Sequence, residues 1–448
     1  MAWAVVALSL GTTLNPLNSS MVAVALISLQ HDFGLTVGQV AWVITVFYVA
    51  SVVGQPLMGR LIDALGARRV FIAGMAVVVV AGAMAPSGGF ALVLVSRGIM
   101  ALGTSVAFPA AVALVGPLAQ AGRMSPPRLL ARIQVVNTTA AALGPVVGGV
   151  LIAIAGWPAI FLVNVPLGLA ALVSVWMLVP RDTPRGAVTG FAVVRVLDPS
   201  GVLAFAVAAV ALLVVLLGAG GDLTWPLLAA GAVAAMLFVW RERRARLPFI
   251  DVRMLAANRA LTWTYAGFTV FTAIYSLALF GLPQLLEDRG GYPTALVGLL
   301  MLPLSGMTIA VAPLVARAID KRGLVPVVVA TGAALLVAAA MLGVGAVTTS
   351  PVWMLVMTAV IGIPYCMGSL AMTEAVRRVA PPEAVGVASG LLQSMRYVGA
   401  IAATVVLGRT LSAGVDARAW AGVVVVAVVA GVVHLVLALL TASALRRR

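Results

Sequence analysis

Apolar residues run through this chain in long blocks, separated by short stretches rich in arginine, glycine and proline. The blocks fall near 2–28, 40–59, 69–86, 90–117, 131–155, 158–179, 200–218, 224–240, 260–286, 293–317, 323–346, 351–376, 384–410 and 418–444. A helix needs about 20 predominantly apolar residues to cross a bilayer, because lipid offers no partner to backbone N–H and C=O groups. The pattern therefore predicts fourteen spans and an all-α integral membrane protein, with no stretch between blocks long enough for a soluble domain. The length of the first block implies tilt or an interfacial end. Asn15-Pro16 interrupts it and no basic segment precedes it, so it reads as a span rather than a secretory signal. Met1 stands almost inside that span, and trimming of the natural N-terminus is expected.

Composition agrees with the pattern. Of the 448 residues, 63% are hydrophobic and 9% charged, against roughly 25% charged in soluble domains. A net charge of +15 would point to nucleic acid in a soluble protein. Placing the N-terminus in the cytoplasm puts 23 of the 28 basic residues on the cytoplasmic side. Arg289, Arg409 and Arg418 fall outside, and Arg97 and Arg396 within spans. The positive-inside rule accounts for that split, so no nucleic acid partner is needed and both termini are cytoplasmic. The single cysteine, Cys366, lies in an apolar block, and His31 and His434 are far apart in sequence. Neither a disulfide nor a metal site is expected, and no cofactor. No GxxxxGK[ST] loop is present, and facing spans show no cluster of His, Asp, Glu or Ser, so the chain does not read as an enzyme.

The chain also repeats itself. Gln55-Pro56-Leu57-Met58-Gly59-Arg60-Leu61-Ile62-Asp63-Ala64-Leu65-Gly66 and Ala312-Pro313-Leu314-Val315-Ala316-Arg317-Ala318-Ile319-Asp320-Lys321-Arg322-Gly323 share Pro, Leu, Arg, Ile, Asp and Gly at one offset of 257. In each copy the Asp stands near the dipole-positive start of the following helix and the Gly permits a tight turn. The spacing predicts an N-terminal six-helix bundle (1–180), a linker with two extra transmembrane helices (181–258) and a C-terminal six-helix bundle (259–448).

These residues carry a family resemblance that covers nearly the whole chain. Gly59 to Arg69 resembles the loop motif of the major facilitator superfamily, and Leu143-Gly144-Pro145-Val146-Val147-Gly148-Gly149 resembles the antiporter motif of its drug:proton exporters. The stretch Trp157 to Gly168 and the segment Arg241 to Asn258, containing Leu247-Pro248-Phe249-Ile250-Asp251, are similar to the fourteen-helix branch, and Arg97 with Gly103 to its fourth-helix arginine motif. The resemblance implies a secondary active exporter of hydrophobic or cationic small molecules, a multidrug efflux antiporter working by alternating access and coupled to protons. It would sit as a monomer in the lipid of a bacterial cytoplasmic membrane. The alternative is a narrow-specificity natural-product exporter or an uncoupled facilitator. Three positions depart from the branch. Asn18, in Leu17-Asn18-Ser19-Ser20, stands where an aspartate is usual, Glu287 where a glutamine is common, and Ala316 in place of a loop glycine. The first departure bears directly on proton coupling.

Charge inside a bilayer is costly, about 2.5–3.5 kcal/mol at a helix centre on insertion scales, so it marks candidate sites. Arg97 reads either as a fixed cation facing a central cavity or as a structural arginine, and Arg396 has the same two readings. Polar faces bring in Asn18 from the first span and Gln134 and Asn137 from the fifth, with interhelical bonding as the alternative. Phe268, Phe271 and Tyr275 at helical spacing, and Phe108, complete the expected substrate cavity, where stacking would suit flat, apolar or cationic molecules, with packing or lipid contact as the alternative for the aromatic face. Candidates for proton coupling are Arg97, Glu287 and Glu374, the last also readable as an ion-paired helix end beside Arg377 and Arg378. Gly59, Asp63, Gly66, Arg68, Arg69 and Asp320 read as a conformational gate. Gly144, Pro145, Gly148 and Gly149 read as sites of close helix approach and bending rather than ligands.

Overall fold

The computed structural model describes the chain apart from residues 1, 41, 123, 183–197, 217–223, 246–247, 251, 412–413 and 448. Arg123, Arg185, Arg195, Arg246, Leu247, Asp251 and Arg448 thus lie outside the described residues. The described residues contain no strand. The long helices are α1 (Ala2–Asp32), α2 (Trp42–Leu65), α3 (Ala67–Met84), α4 (Phe90–Gln120) and α5 (Pro126–Ala155). They continue as α6 (Pro158–Leu178), α7 (Pro199–Leu216), α8 (Thr224–Glu242), α9 (Arg259–Gln284), α10 (Thr294–Arg322) and α11 (Leu324–Met341). The last are α12 (Pro351–Val379), α13 (Val385–Thr410) and α14 (Ala417–Arg446). Eleven of the described helices are long and apolar enough to cross a membrane, and the bent α1 makes twelve. That is the span count the helices themselves establish; α7 and α8 stand apart from it.

The offset of 257 extends from one loop to the whole architecture. Added to the bounds of α3, it reproduces those of α11. Helices α1, α2, α4, α5 and α6 fall on α9, α10, α12, α13 and α14 within a few residues at their starts. The turns before α3 and α11 are made by Gly66 (φ 98°) and Gly323 (φ 85°), both in a region a side chain disfavours. Each half is held by backbone contact between helices of the same rank. In the first half, a Cβ on Gly144 of α5 would stand 1.8 Å from Ser20 Oγ of α1, and Gly148 rests on Met21. In the second, a Cβ on Gly399 of α13 would stand 2.1 Å from Thr272 Oγ1 of α9. Small residues at these crossings let the backbones approach.

Helices α7 and α8 pack on each other, and α7 also touches α2 and α13. Phe205 of α7 meets Phe238 and Phe249 at 5.6 and 5.7 Å and reaches the Val52–Tyr397–Ile401 cluster where the halves join. Arg241 at the end of α8 pairs with Asp198 just before α7, while Glu242 accepts from the Ile250 N–H at 3.0 Å. Large apolar side chains cover the outside of the bundle. Ile154 is 77% exposed and Trp225 78%, as befits a surface solvated by hydrocarbon.

Candidate functional site

Every described hydrogen bond and ion pair between the two six-helix halves lies between the arginine-rich end and mid-depth. The carboxylate of Asp63, at the end of α2, accepts the N–H groups of Gly386 and Val387 at 2.8 Å each. These are unsatisfied donors at the positive end of α13. Its repeat partner Asp320, at the end of α10, accepts from Ser125 Oγ at 2.7 Å and Arg128 Nε at 2.9 Å. Ser125 is the N-cap of α5. Each aspartate therefore grips the start of the other half's fifth helix, counting within each bundle. Between them the backbones touch directly. A Cβ on Gly59 would stand 2.3 Å from the Gly386 carbonyl oxygen, and one on Gly390 2.2 Å from that of Gln55. Further in, Ser394 Oγ donates to the Val52 carbonyl at 2.7 Å and Ser369 Oγ to Gln134 Oε1 at 2.8 Å. Gln134 with Phe108 and Ser369 bounds a small void at this level.

The deepest of these contacts, Tyr397 Oη to Asn15 Oδ1 at 2.8 Å, lies about 18 Å along α13 at 1.5 Å per residue. At the same depth Arg396 is exposed to solvent. Its Nη2 meets Tyr365 Oη at 3.3 Å, and the phenols of Tyr397, Tyr275 and Tyr48 also lie within its electrostatic reach. Tyr275 and Tyr365 stack with centroids 3.7 Å apart, and Tyr48 meets Tyr397 at 5.6 Å. An exposed arginine halfway through a membrane bundle, ringed by tyrosines from both halves, marks a central hollow, and beyond Tyr397 no described bond joins the halves. Asn15 and Tyr275 are partly exposed at its wall.

Several expected cavity residues sit elsewhere. Asn18 is 1% exposed and forms a reciprocal amide pair with Asn164 of α6, at 2.6 and 3.0 Å. Burial forces such amides to satisfy each other, so Asn18 joins helices of one half instead of lining the hollow. Phe268 and Phe271 are buried at 4% and 0%; Phe271 packs on Tyr365, His434 and the surface of Gly368. Arg97 is likewise buried. Its guanidinium lies 4.2 Å from the Phe47 ring centroid, and Nε donates to the Val43 carbonyl at 3.2 Å. Asn137 accepts from Thr12 Oγ1 at 2.8 Å, a contact of α5 with α1. Glu374 is buried and clasped by Arg377 and Arg378 at 2.6–2.7 Å, and Glu287 is exposed at the far end of α9. Arg68 and Arg69 do not reach the other half through their described bonds. Their backbone N–H groups hold Asp182, packed beneath Gly66, and Arg68 also donates to the Trp176 carbonyl. Pro145 lies inside α5 and is exposed, and no atom stands within 4 Å of a Cβ on Gly149.

Tyr48, Tyr365 and Tyr397 were not predicted from sequence. Each is the one tyrosine of its apolar block, and only the meeting of four helices gathers them. Among the described residues no carboxylate lines the hollow, and no group of His, Cys, Asp or Glu is placed to hold a metal.

This geometry matches that of known membrane carriers. The fold superposes on the human organic anion transporter MFSD10 with a TM-score of 0.69, at 18% identity, covering 98% of this chain and 99% of that one. By sequence the chain is 34% identical over 444 residues to the MFS-type transporter YwoD of Bacillus subtilis, covering 98% and 97% of the two proteins. It is 30% identical to the tetracenomycin C resistance and export protein of Streptomyces glaucescens, covering 90% and 74%. A model of the Major Facilitator Superfamily matches residues 8–404, and with two repeat-related bundles closed on one another at one end, this chain belongs to that family of transporters.

Proposed function

We propose that this protein is a secondary active exporter of hydrophobic small molecules, alternating between states that open the central hollow to one side or the other. The observation that carries the reading is the contrast along the seam between halves. Aspartate clasps and glycine contacts shut the arginine-rich end, while beyond the exposed Arg396 and Tyr397 no described bond joins the halves. With the arginine-rich loops in the cytoplasm, this is the outward-open state, and rocking of the halves about Arg396 gives the other. Export as the direction draws support from the relative named for resistance and export. The apolar helices α7 and α8 would add two spans to the twelve, giving fourteen, with both termini in the cytoplasm of a bacterial cell and the chain acting as a monomer.

Proton coupling is part of this reading, with an unusual address. Asn18 cannot titrate and Glu374 is neutralised by two arginines, so coupling falls to groups at the mouths of the pathway, Glu287 among them, or to Arg97. The test is extrusion of a fluorescent substrate from cells, with and without a protonophore. Extrusion that stops when the gradient collapses supports coupling; extrusion that continues rules it out. Downhill counterflow in vesicles without a pH gradient would instead favour an uncoupled facilitator.

A further inference from the structure

We infer that the substrates of this transporter are aromatic anions, with the negative group held on Arg396 and the ring system laid against the Tyr275–Tyr365 pair. The inference rests on the carrier reading above and assigns its central site a charge preference. Arg396 is the one exposed cation found at mid-depth among the described residues. An arginine there usually pairs with a carboxylate or a backbone carbonyl. Here its described protein partner is a neutral phenol, Tyr365 Oη at 3.3 Å. The groups facing it from α2, α9, α12 and α13 are likewise the phenols of Tyr48, Tyr275, Tyr365 and Tyr397.

Among the described residues no acid competes for it. Glu374 lies on the same helix as Tyr365 but nine residues on, about 14 Å nearer the arginine-rich end, and Arg377 and Arg378 already engage it. Asp63 is bound to the start of α13. A second cation, Arg97, stands behind Phe47 with its Nη1 lacking any hydrogen-bond partner. The two arginines give the hollow a positive potential, strengthened by the low-dielectric walls around it. A planar guanidinium offers paired donors that match a carboxylate or sulfonate. The 3.7 Å stack of Tyr275 and Tyr365 offers an apolar face beside it. A cation entering the same place would meet repulsion from both arginines and no counter-charge.

The test uses the full chain in lipid nanodiscs with two probes of equal size and opposite charge, pyrene-1-sulfonate and pyren-1-ylmethylammonium, with binding read by fluorescence anisotropy. The sulfonate should bind at least tenfold more tightly. Arg396→Gln should erase that ratio, while Arg396→Lys, which keeps the charge but not the paired donors, should weaken the sulfonate and still favour it. Equal affinities, preference for the ammonium, or a ratio that survives Arg396→Gln would each overturn the assignment. Counterflow of both probes in proteoliposomes separates this from the carrier reading. If neither crosses, the transport proposal fails, and the binding ratio still decides the charge.

Discussion

At the scale of single residues, the first half is tied together by the Asn18–Asn164 amide pair, in which each side chain satisfies the other. Replacing one member leaves the other's buried Oδ1 without a donor, at a cost of about 1–3 kcal/mol, whereas replacing both with apolar groups of similar size is nearly neutral. Asn18→Leu and Asn164→Leu should therefore each lower the melting temperature of the purified protein, and the double variant should lie nearer the parent than the single losses combined. A strictly additive cycle would show that the pair is not coupled. The same pair shows where reading the sequence reaches its end. A polar residue in an apolar helix announces that it needs a partner but not which one, and Asn18 reads equally as wall of a hollow and as a bond between helices. Arg396 declared itself because charge in lipid demands a reason. Tyr48, Tyr365 and Tyr397 did not, since one tyrosine per apolar block carries no periodic signal.

Between elements, the informative contacts are those of α2 with α13 and of α10 with α5. The two aspartates were legible in the repeated loop, because a repeat preserves its working parts. Their partners were not, being 323 and 195 residues away and fixed only by how the halves meet. Asp63 places a full negative charge on the start of α13, an interaction worth about 0.3–2 kcal/mol. Asp63→Asn, Asp320→Asn and especially the pair should therefore loosen the closed end. Maleimide labelling of Gln134→Cys, in a Cys366→Ala background, reads this from the arginine-rich face. The rate should rise several-fold in the double variant, and an unchanged rate would mean that the aspartates do not hold the seam. The glycine contacts predict the same shift by steric means. A valine at Gly390 would drive its Cβ against the Gln55 carbonyl, which is backbone and cannot rotate away. Overpacking costs typically 1–3 kcal/mol, but only in the state where α2 and α13 touch. Gly390→Val should thus label faster at Gln134→Cys and lose transport, while its melting temperature in the opposite state, trapped by a ligand from the arginine-rich side, stays near the parent value.

For the whole molecule the decisive question is whether the halves separate at the arginine-rich end during every cycle. The offset of 257 that relates helix to helix makes each half a copy of the other. In the proposed cycle the seam at this end and the seam at the opposite end are alternative closures of one structure, each excluding the other. If so, a covalent clasp at one seam must stop transport altogether. A Cβ on Gly386 would stand 2.9 Å from Asp63 Cγ, which places the two β-carbons within the span a disulfide bridges. With Cys366→Ala removing the native thiol, the pair Asp63→Cys and Gly386→Cys should cross-link on oxidation. Oxidised protein in proteoliposomes should show no counterflow, and reductant should restore the flux of the reduced pair. Binding of a probe from the open side should persist in the locked protein, since the cross-link lies at the start of α13, about 15 Å from Arg396 along the helix. Counterflow that continued through the cross-link would mean that substrate crosses without the halves parting, and a channel-like path past the tyrosine ring would have to replace alternating access.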